Sequence, residues 1–251
     1  MRLLVATLNC GARSALEILL FSRRSTRLRR VEIAKLGRGI SFRGRLDYGV
    51  MSHFYTESLR VRDPENRVRW IIDAGAIIGD ETIKFRAFNP AAQIVAIEAD
   101  ADAVAVLRLN ASGDAQIHVE HKALWSAPGV ALSLQRTSSP EGTSVAARGD
   151  GDLAVTTTSF DELRLVYGIE RFDIVKLDIE GAERHVFSEG HTSWVEQTDV
   201  IIMEVADHEN PGGVQRLLRC IPFEVDCQII GESLVIVRRG CGLIVEPYLL
   251  L

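Results

Sequence analysis

The stretch from Arg69 to Asp100, RWIIDAGAIIGDETIKFRAFNPAAQIVAIEAD, constrains the fold more than any other part of the chain. The apolar run Trp70-Ile71-Ile72 reads as a buried strand. It stops at Asp73, and a glycine-rich turn, Gly75-Ala76-Ile77-Ile78-Gly79, leads into a helix that opens near Asp80. A second apolar run, Ile94 to Ile97, stops at Glu98. This is one β-α-β unit with an acid at the end of each strand. Two strands joined through a helix run parallel, and parallel strands need cover on both faces.

The alternation continues along the body. Strands are expected at 69–73, 94–98, 117–121, 173–178, 199–204, 222–229 and 233–238. Helices are expected at 80–88, 101–110, 159–168, 181–189 and 212–219, with Asp100 as an N-cap. The last two strands are separated only by Ile230-Gly231-Glu232, too short for a crossover, so they pair antiparallel. The fold class expected is α/β: a Rossmann-like, doubly wound, mainly parallel seven-stranded sheet ending in an antiparallel hairpin. Residues 1–66 read as a basic leader or cap, and 67–251 as the main domain. Asp63-Pro64-Glu65-Asn66 is turn chemistry at the boundary. Within the leader an amphipathic helix is expected around Arg13 to Phe21. Glycines 37, 39, 44 and 49 suggest short strands or irregular loops. Ser138 to Asp152 reads as a polar, glycine-rich loop.

A glycine turn after a strand, followed by an acid at the next strand end, suits a ribose-bearing ligand. Glycines let the backbone approach closely, and a carboxylate can grip two ribose hydroxyls. The spacing is D-x-G-x-x-x-G, not G-x-G-x-x-G, and the acid before the loop would repel a pyrophosphate. It suits an amino group and a sulfonium instead, which points to S-adenosylmethionine. A nicotinamide-dependent oxidoreductase is disfavoured on the same grounds.

The segment Phe172 to Glu183, FDIVKLDIEGAE, ends a buried strand with Lys176 and Asp178 and turns through Glu180 toward a helix. Together the two motifs resemble the FkbM-type methyltransferase family, with its DxGAxxG loop, its acid after the next strand and its KxDxEGAE element. The resemblance runs from about Arg69 to about Arg239. The family usually carries Asn where this chain has Ile77, a departure that keeps a non-catalytic protein of the same fold as the alternative. The resemblance implies the class I methyltransferase architecture and transfer of a methyl group from S-adenosylmethionine to a hydroxyl of a small molecule or saccharide. It places Asp73 and Gly75 toward the methionine part of the cofactor. Ala76 and Gly79 would shape the loop, Glu98 with Ala99 would take the ribose, and Asn110, Ala123 and Leu124 would lie near the adenine.

Methyl transfer to an aliphatic hydroxyl needs the acceptor oxygen opposite the leaving sulfur and its proton removed. Asp178 is expected nearest that chemistry, with Glu180 as its orienter, Lys176 as its partner and His208 as a further candidate base. Asp178 and Glu204, with Asp207 or His208, could also hold magnesium through hard oxygen ligands; no metal is assigned.

Composition is that of an ordinary globular chain of 251 residues, 47% hydrophobic and 25% charged. The net charge of −5 argues against a nucleic-acid partner. Residues 1–45 nevertheless carry eleven Lys/Arg against two acids, Glu17 and Glu32. Such an arm suits an anionic acceptor, an acidic partner or peripheral membrane contact. No stretch is long and apolar enough for a transmembrane segment. Four cysteines without metal spacing suggest free thiols and a cytoplasmic setting.

Overall fold

The computed structural model describes residues 11–21, 26–52, 58–136, 143–146, 153–179, 182–204 and 212–248. The leader supplies helix α1 (Ala12–Phe21), strands β1 (Arg29–Ile33) and β2 (Arg38–Phe42), helix α2 (Tyr48–Ser52) and strand β3 (Ser58–Arg62). The first half of the body holds β4 (Trp70–Ala74), α3 (Asp80–Phe88), β5 (Gln93–Glu98), α4 (Ala101–Ala111) and β6 (Ile117–His121). Four strands follow: β7 (Ala123–Leu124), β8 (Ala131–Arg136), β9 (Thr143–Ala146) and β10 (Leu153–Thr158). The second half holds α5 (Phe160–Tyr167), β11 (Phe172–Leu177), the short helices α6 (Glu183–Val186) and α7 (Ser193–Glu196), and β12 (Thr198–Glu204). It closes with α8 (Gly213–Arg219), β13 (Val225–Ile230), β14 (Ser233–Arg238) and β15 (Ile244–Tyr248).

The central sheet has seven strands in the order β13-β14-β12-β11-β4-β5-β6. β4, β5, β6, β11 and β12 are parallel, and β14 runs against both of its neighbours. This is the doubly wound, mainly parallel sheet with a reversed hairpin expected from the sequence. Its interior strands are buried on both faces, so their apolar runs show no alternation. Ile71, Ile94, Ile174, Val200 and Ile202 point to one face, where Phe85, Val61 and Val245 pack. Ile72, Val95, Val175, Leu177 and Ile201 point to the other, against Phe160, Phe172, Trp194 and Leu217.

Local capping explains where the helices begin. Asp100 accepts from the backbone N–H groups of Asp102 (2.7 Å) and Ala103 (3.3 Å) at the start of α4. Ser159 caps α5 through Glu162 N–H, and α5 ends at Gly168 in the left-handed region, its N–H returning to Arg164 O.

Three differences from the sequence expectations stand out. Where a helix is expected over 181–189, the described residues form the single turn of α6, Glu183–Val186. Within the stretch expected as a loop from Ser138 to Asp152, Thr143–Ala146 forms β9, and β7-β10-β8-β9 make a second, four-stranded sheet. Finally, β3 of the leader pairs antiparallel with β15 across 58–62 and 244–248, so the leader is stitched to the far end of the body. Local patterning cannot show such pairing, because the partners are distant in sequence. The turn expected at Asp63–Asn66 forms: Asp63 accepts from Val68 N–H at 2.7 Å, and Asn66 takes a positive φ of 51°.

Candidate active site

Strand order reverses between β4 and β11, and the crevice beyond the carboxyl ends of those strands is where such sheets take ligands. The register pairs Lys176 with Asp73 and Leu177 with Ala74, so the two motifs found in the sequence meet side by side. The contact is backbone to backbone. Asp178 N–H donates to Ala74 O at 3.1 Å, and a Cβ on Gly75 would lie 1.7 Å from Asp178 O. Gly75, at φ 76°, is therefore required both by conformation and by space.

The glycine loop is held at each step. Gly75 and Ala76 both donate to Ile97 O at 3.0 Å. Ile77 N–H donates to Glu98 Oε2 at 2.9 Å. Gly79 N–H donates to Ala76 O at 2.6 Å, with Gly79 at φ 86°. Ile77 itself lies at φ 48°, a region that disfavours β-branched residues and tolerates Asn. The Asn typical of the resembled family has its physical reason there, and this chain holds an isoleucine in a strained conformation instead. The Ile77 side chain packs on the leader's apolar cluster.

Beneath the loop, Asp73 is fully buried. Its Oδ2 accepts from the Thr82 hydroxyl, and its Oδ1 has no hydrogen-bond partner; the Lys176 ammonium stands 3.8 Å from it. Burial pushes the Asp73 carboxyl up to about 6, against the opposing pull of Lys176 and Thr82. Lys176 donates to Gly75 O (3.1 Å) and to Asp178 Oδ2 (3.0 Å). Burial alone would lower its pKa, but Asp178 and Asp73 outweigh burial and hold it above the ordinary lysine value. Lys176 thus joins the loop, Asp73 and Asp178, and its two acidic neighbours favour its ammonium form. Thr82, which sequence reasoning overlooked, lies in the first turn of α3, where a polar side chain reaches back to the strand end.

Glu98 ends β5 in a buried position, and its oxygens receive Ile77 N–H and Asp100 N–H (2.7 Å). Burial raises its pKa, while those backbone bonds work to lower it. Ala99 and Ile179, the residues after Glu98 and Asp178, pack against one cluster with Ala123, Trp125 and Ala182. Leu124 lies in the main core. Asn110, expected beside an adenine, directs its side chain to protein partners. It is buried, both hydrogens of its amide are taken by Ser41 O (2.9 Å) and Ile78 O (2.8 Å), and its oxygen accepts from Ser41 N–H (2.6 Å). No donor remains for a base.

His185, at the C-terminal end of α6, stacks on Trp125 with ring centroids 3.6 Å apart. Burial, and then Arg184, lower its pKa. Glu180, Asp207 and His208 lie outside the described residues. Glu204 leaves the same end of the sheet as Asp178, since Leu177 pairs with Met203. Among the described residues no group of three His, Cys, Asp or Glu is arranged to hold a metal ion.

The family model for the methyltransferase FkbM domain matches residues 73–226, more than half of the chain. No curated protein matches. Among solved structures the chain is similar to the fibrillarin pre-rRNA processing protein of Methanococcus jannaschii, at 11% identity and a TM-score of 0.42, covering 85% of this chain and 83% of that one. It is similar to precorrin-6y C5,15-methyltransferase of Geobacter metallireducens, at 13% identity and a TM-score of 0.38, covering 68% and 78%. It is also similar to an O-methyltransferase of Bacillus cereus in complex with SAH, at 13% identity and a TM-score of 0.37, covering 69% and 76%.

Proposed function

The chain belongs to the FkbM methyltransferase family, and on that premise we propose that it transfers a methyl group from S-adenosylmethionine to a hydroxyl oxygen of a small molecule or saccharide. One observation carries the cofactor reading. Asp73 Oδ1 is a buried acceptor with no donor, beneath a glycine loop at the switch point of the sheet. A site with an unpartnered buried carboxylate oxygen fits a ligand that brings an ammonium group. The surrounding charge fits as well. Asp73, Asp80, Glu81 and Asp178 outnumber Lys84 and Lys176 there, which favours a cationic ligand over a pyrophosphate.

When bound, S-adenosylmethionine supplies an electrophilic methyl group on a sulfonium. Asp73 would hold its amino group through the unpartnered Oδ1, with Oδ2 fixed by Thr82, and Glu98 its ribose, with its carboxylate oriented by the Ile77 and Asp100 N–H groups. Gly75 and Ala76 keep the loop flat against β5. Asp178 orients the acceptor hydroxyl and takes its proton, and Lys176 keeps that carboxylate in place. The strand ends that carry these groups are rigid, so they are positioned before the acceptor arrives. Glu180 and His208 remain candidate partners in proton removal. A reducing, cytoplasmic setting belongs to the same reading; Cys220, Cys227 and Cys241 are free thiols. Among the described residues, no helix is long and apolar enough to cross a membrane.

The test is turnover. Purified protein is incubated with S-adenosylmethionine and a panel of polyols, sugars and phosphorylated or nucleotide-linked sugars, and release of S-adenosylhomocysteine is followed. Acceptor-dependent release that Asp178→Asn abolishes supports the assignment. Methylation of an amine, with no hydroxyl acceptor active, would overturn the O-methyl reading.

A further inference from the structure

We propose that Asn110 is a positioning residue through which the leader hairpin fixes the glycine loop, making the hairpin part of the cofactor-binding apparatus. This deepens the cofactor reading above and rests on it.

Asn110 sits in the last turn of α4, 6% exposed. Toward the leader its carboxamide imitates a strand residue. The oxygen accepts Ser41 N–H at 2.6 Å, and one amide hydrogen goes to Ser41 O at 2.9 Å. Ser41 lies in β2, which pairs with β1 through Arg30↔Ser41. Toward the site, the second amide hydrogen goes to Ile78 O at 2.8 Å. One side chain therefore bonds the leader and the loop at once.

The Ile78 carbonyl is a sensitive point to hold. It belongs to the peptide that joins Ile78 to Gly79, and the N–H of that same peptide donates to Ala76 O at 2.6 Å. Positive φ angles flank it, 48° at Ile77 and 86° at Gly79. A flip of this peptide would break both bonds, so Asn110 and Ala76 lock its orientation from opposite ends. Ile77 N–H is locked in turn by Glu98. The leader adds apolar contact to the same loop: Ile78 is buried with Val31, Ile33, Ile40 and Phe42 of the hairpin, and Ile77 packs beside them. Leu107, one turn before Asn110, lies against the open side of Gly79, 2.5 Å from where its Cβ would be.

Replacing the carboxamide with an apolar group of similar size strands two buried carbonyls and one amide. The loop would then sample other peptide orientations, and cofactor affinity should fall about tenfold or more. Calorimetry with S-adenosylhomocysteine on the full-length protein and on Asn110→Leu reads this directly, because stoichiometry reports the folded fraction and Kd the affinity of folded molecules. Hydrogen exchange of the unaltered protein, with and without the same compound, reads the coupling without any variant. The expected result is a Kd raised about tenfold or more in Asn110→Leu at unchanged stoichiometry. Protection on binding should appear in residues 39–42 together with 77–82. An unchanged Kd in folded Asn110→Leu would overturn the proposal. Should that variant not fold, protection confined to the loop in the unaltered protein would overturn it. No binding by the unaltered protein would bring down the cofactor reading, and this proposal with it; binding there with an indifferent variant brings down this proposal alone.

Discussion

Asp73 is a carboxylate kept out of water with one hydrogen bond for its two oxygens. Its folded-state pKa, about 6, lies above an unfolded value of roughly 3.9, so the folded chain holds this proton more tightly. The resulting stabilisation is full below about pH 4 and is lost as pH rises through about 6. At neutral pH the ionised group costs on the order of 1–3 kcal/mol in the cofactor-free protein. Asp73→Asn is therefore expected to raise Tm at pH 7.5 while abolishing S-adenosylmethionine binding; a lower Tm would contradict the burial argument. In the unaltered protein, affinity for the cofactor should weaken as pH drops below about 6, because a protonated Asp73 no longer attracts an ammonium. Calorimetric titrations from pH 5 to 8 would show it. Ile77 offers a second check. Its left-handed backbone costs roughly 1–2 kcal/mol, and its side chain regains part of that on the leader cluster. Ile77→Asn trades one for the other, so urea denaturation should shift by less than about 1 kcal/mol with cofactor affinity retained. A tenfold loss of affinity would mean that the isoleucine side chain itself shapes the ligand site.

At the level of elements, β4 and β11 could be read from their apolar runs, and their terminal acids marked where the crevice would open. The reason is local: strands buried on both faces are continuously apolar, and polar residues appear only where they end. β15 and the small second sheet escaped because their strands are short and interrupted, as with Pro247 inside β15. Pairing with β3 is what makes β15 a strand, and Val245 is its buried anchor in the core shared with Ile71 and Ile174. Val245→Asp places an unpaired charge in that core and should cost about 3 kcal/mol or more in chemical denaturation. A change under about 1 kcal/mol would show that β15 is peripheral to stability.

On the scale of the whole molecule, the described residues of leader and body meet through the β3–β15 pair, through the cluster joining α1, β1 and β2 to the glycine loop, and through the Ser41–Asn110 and Arg38–Asp114 links. The protein should then unfold in one transition. Trp70, Trp125 and Trp194 all lie in the body, so their fluorescence follows the body alone, whereas far-ultraviolet circular dichroism follows the entire chain. Coincident urea curves from the two signals are expected; an earlier dichroism transition would separate 1–66 as an independent unit. The α/β order, the seven central strands, the glycine turn and the acids at the strand ends are legible in the residues alone, because each follows from short-range periodicity and from the conformational needs of a few residues. It takes the folded chain to reveal that Asp73 lies buried with an unpartnered oxygen, that Gly75 abuts Asp178, and that Asn110 ties the leader to the loop. Those depend on contacts across 32 to 103 positions, as between Ile78 and Asn110 or Gly75 and Asp178. No local pattern encodes which distant backbone groups come within hydrogen-bonding reach.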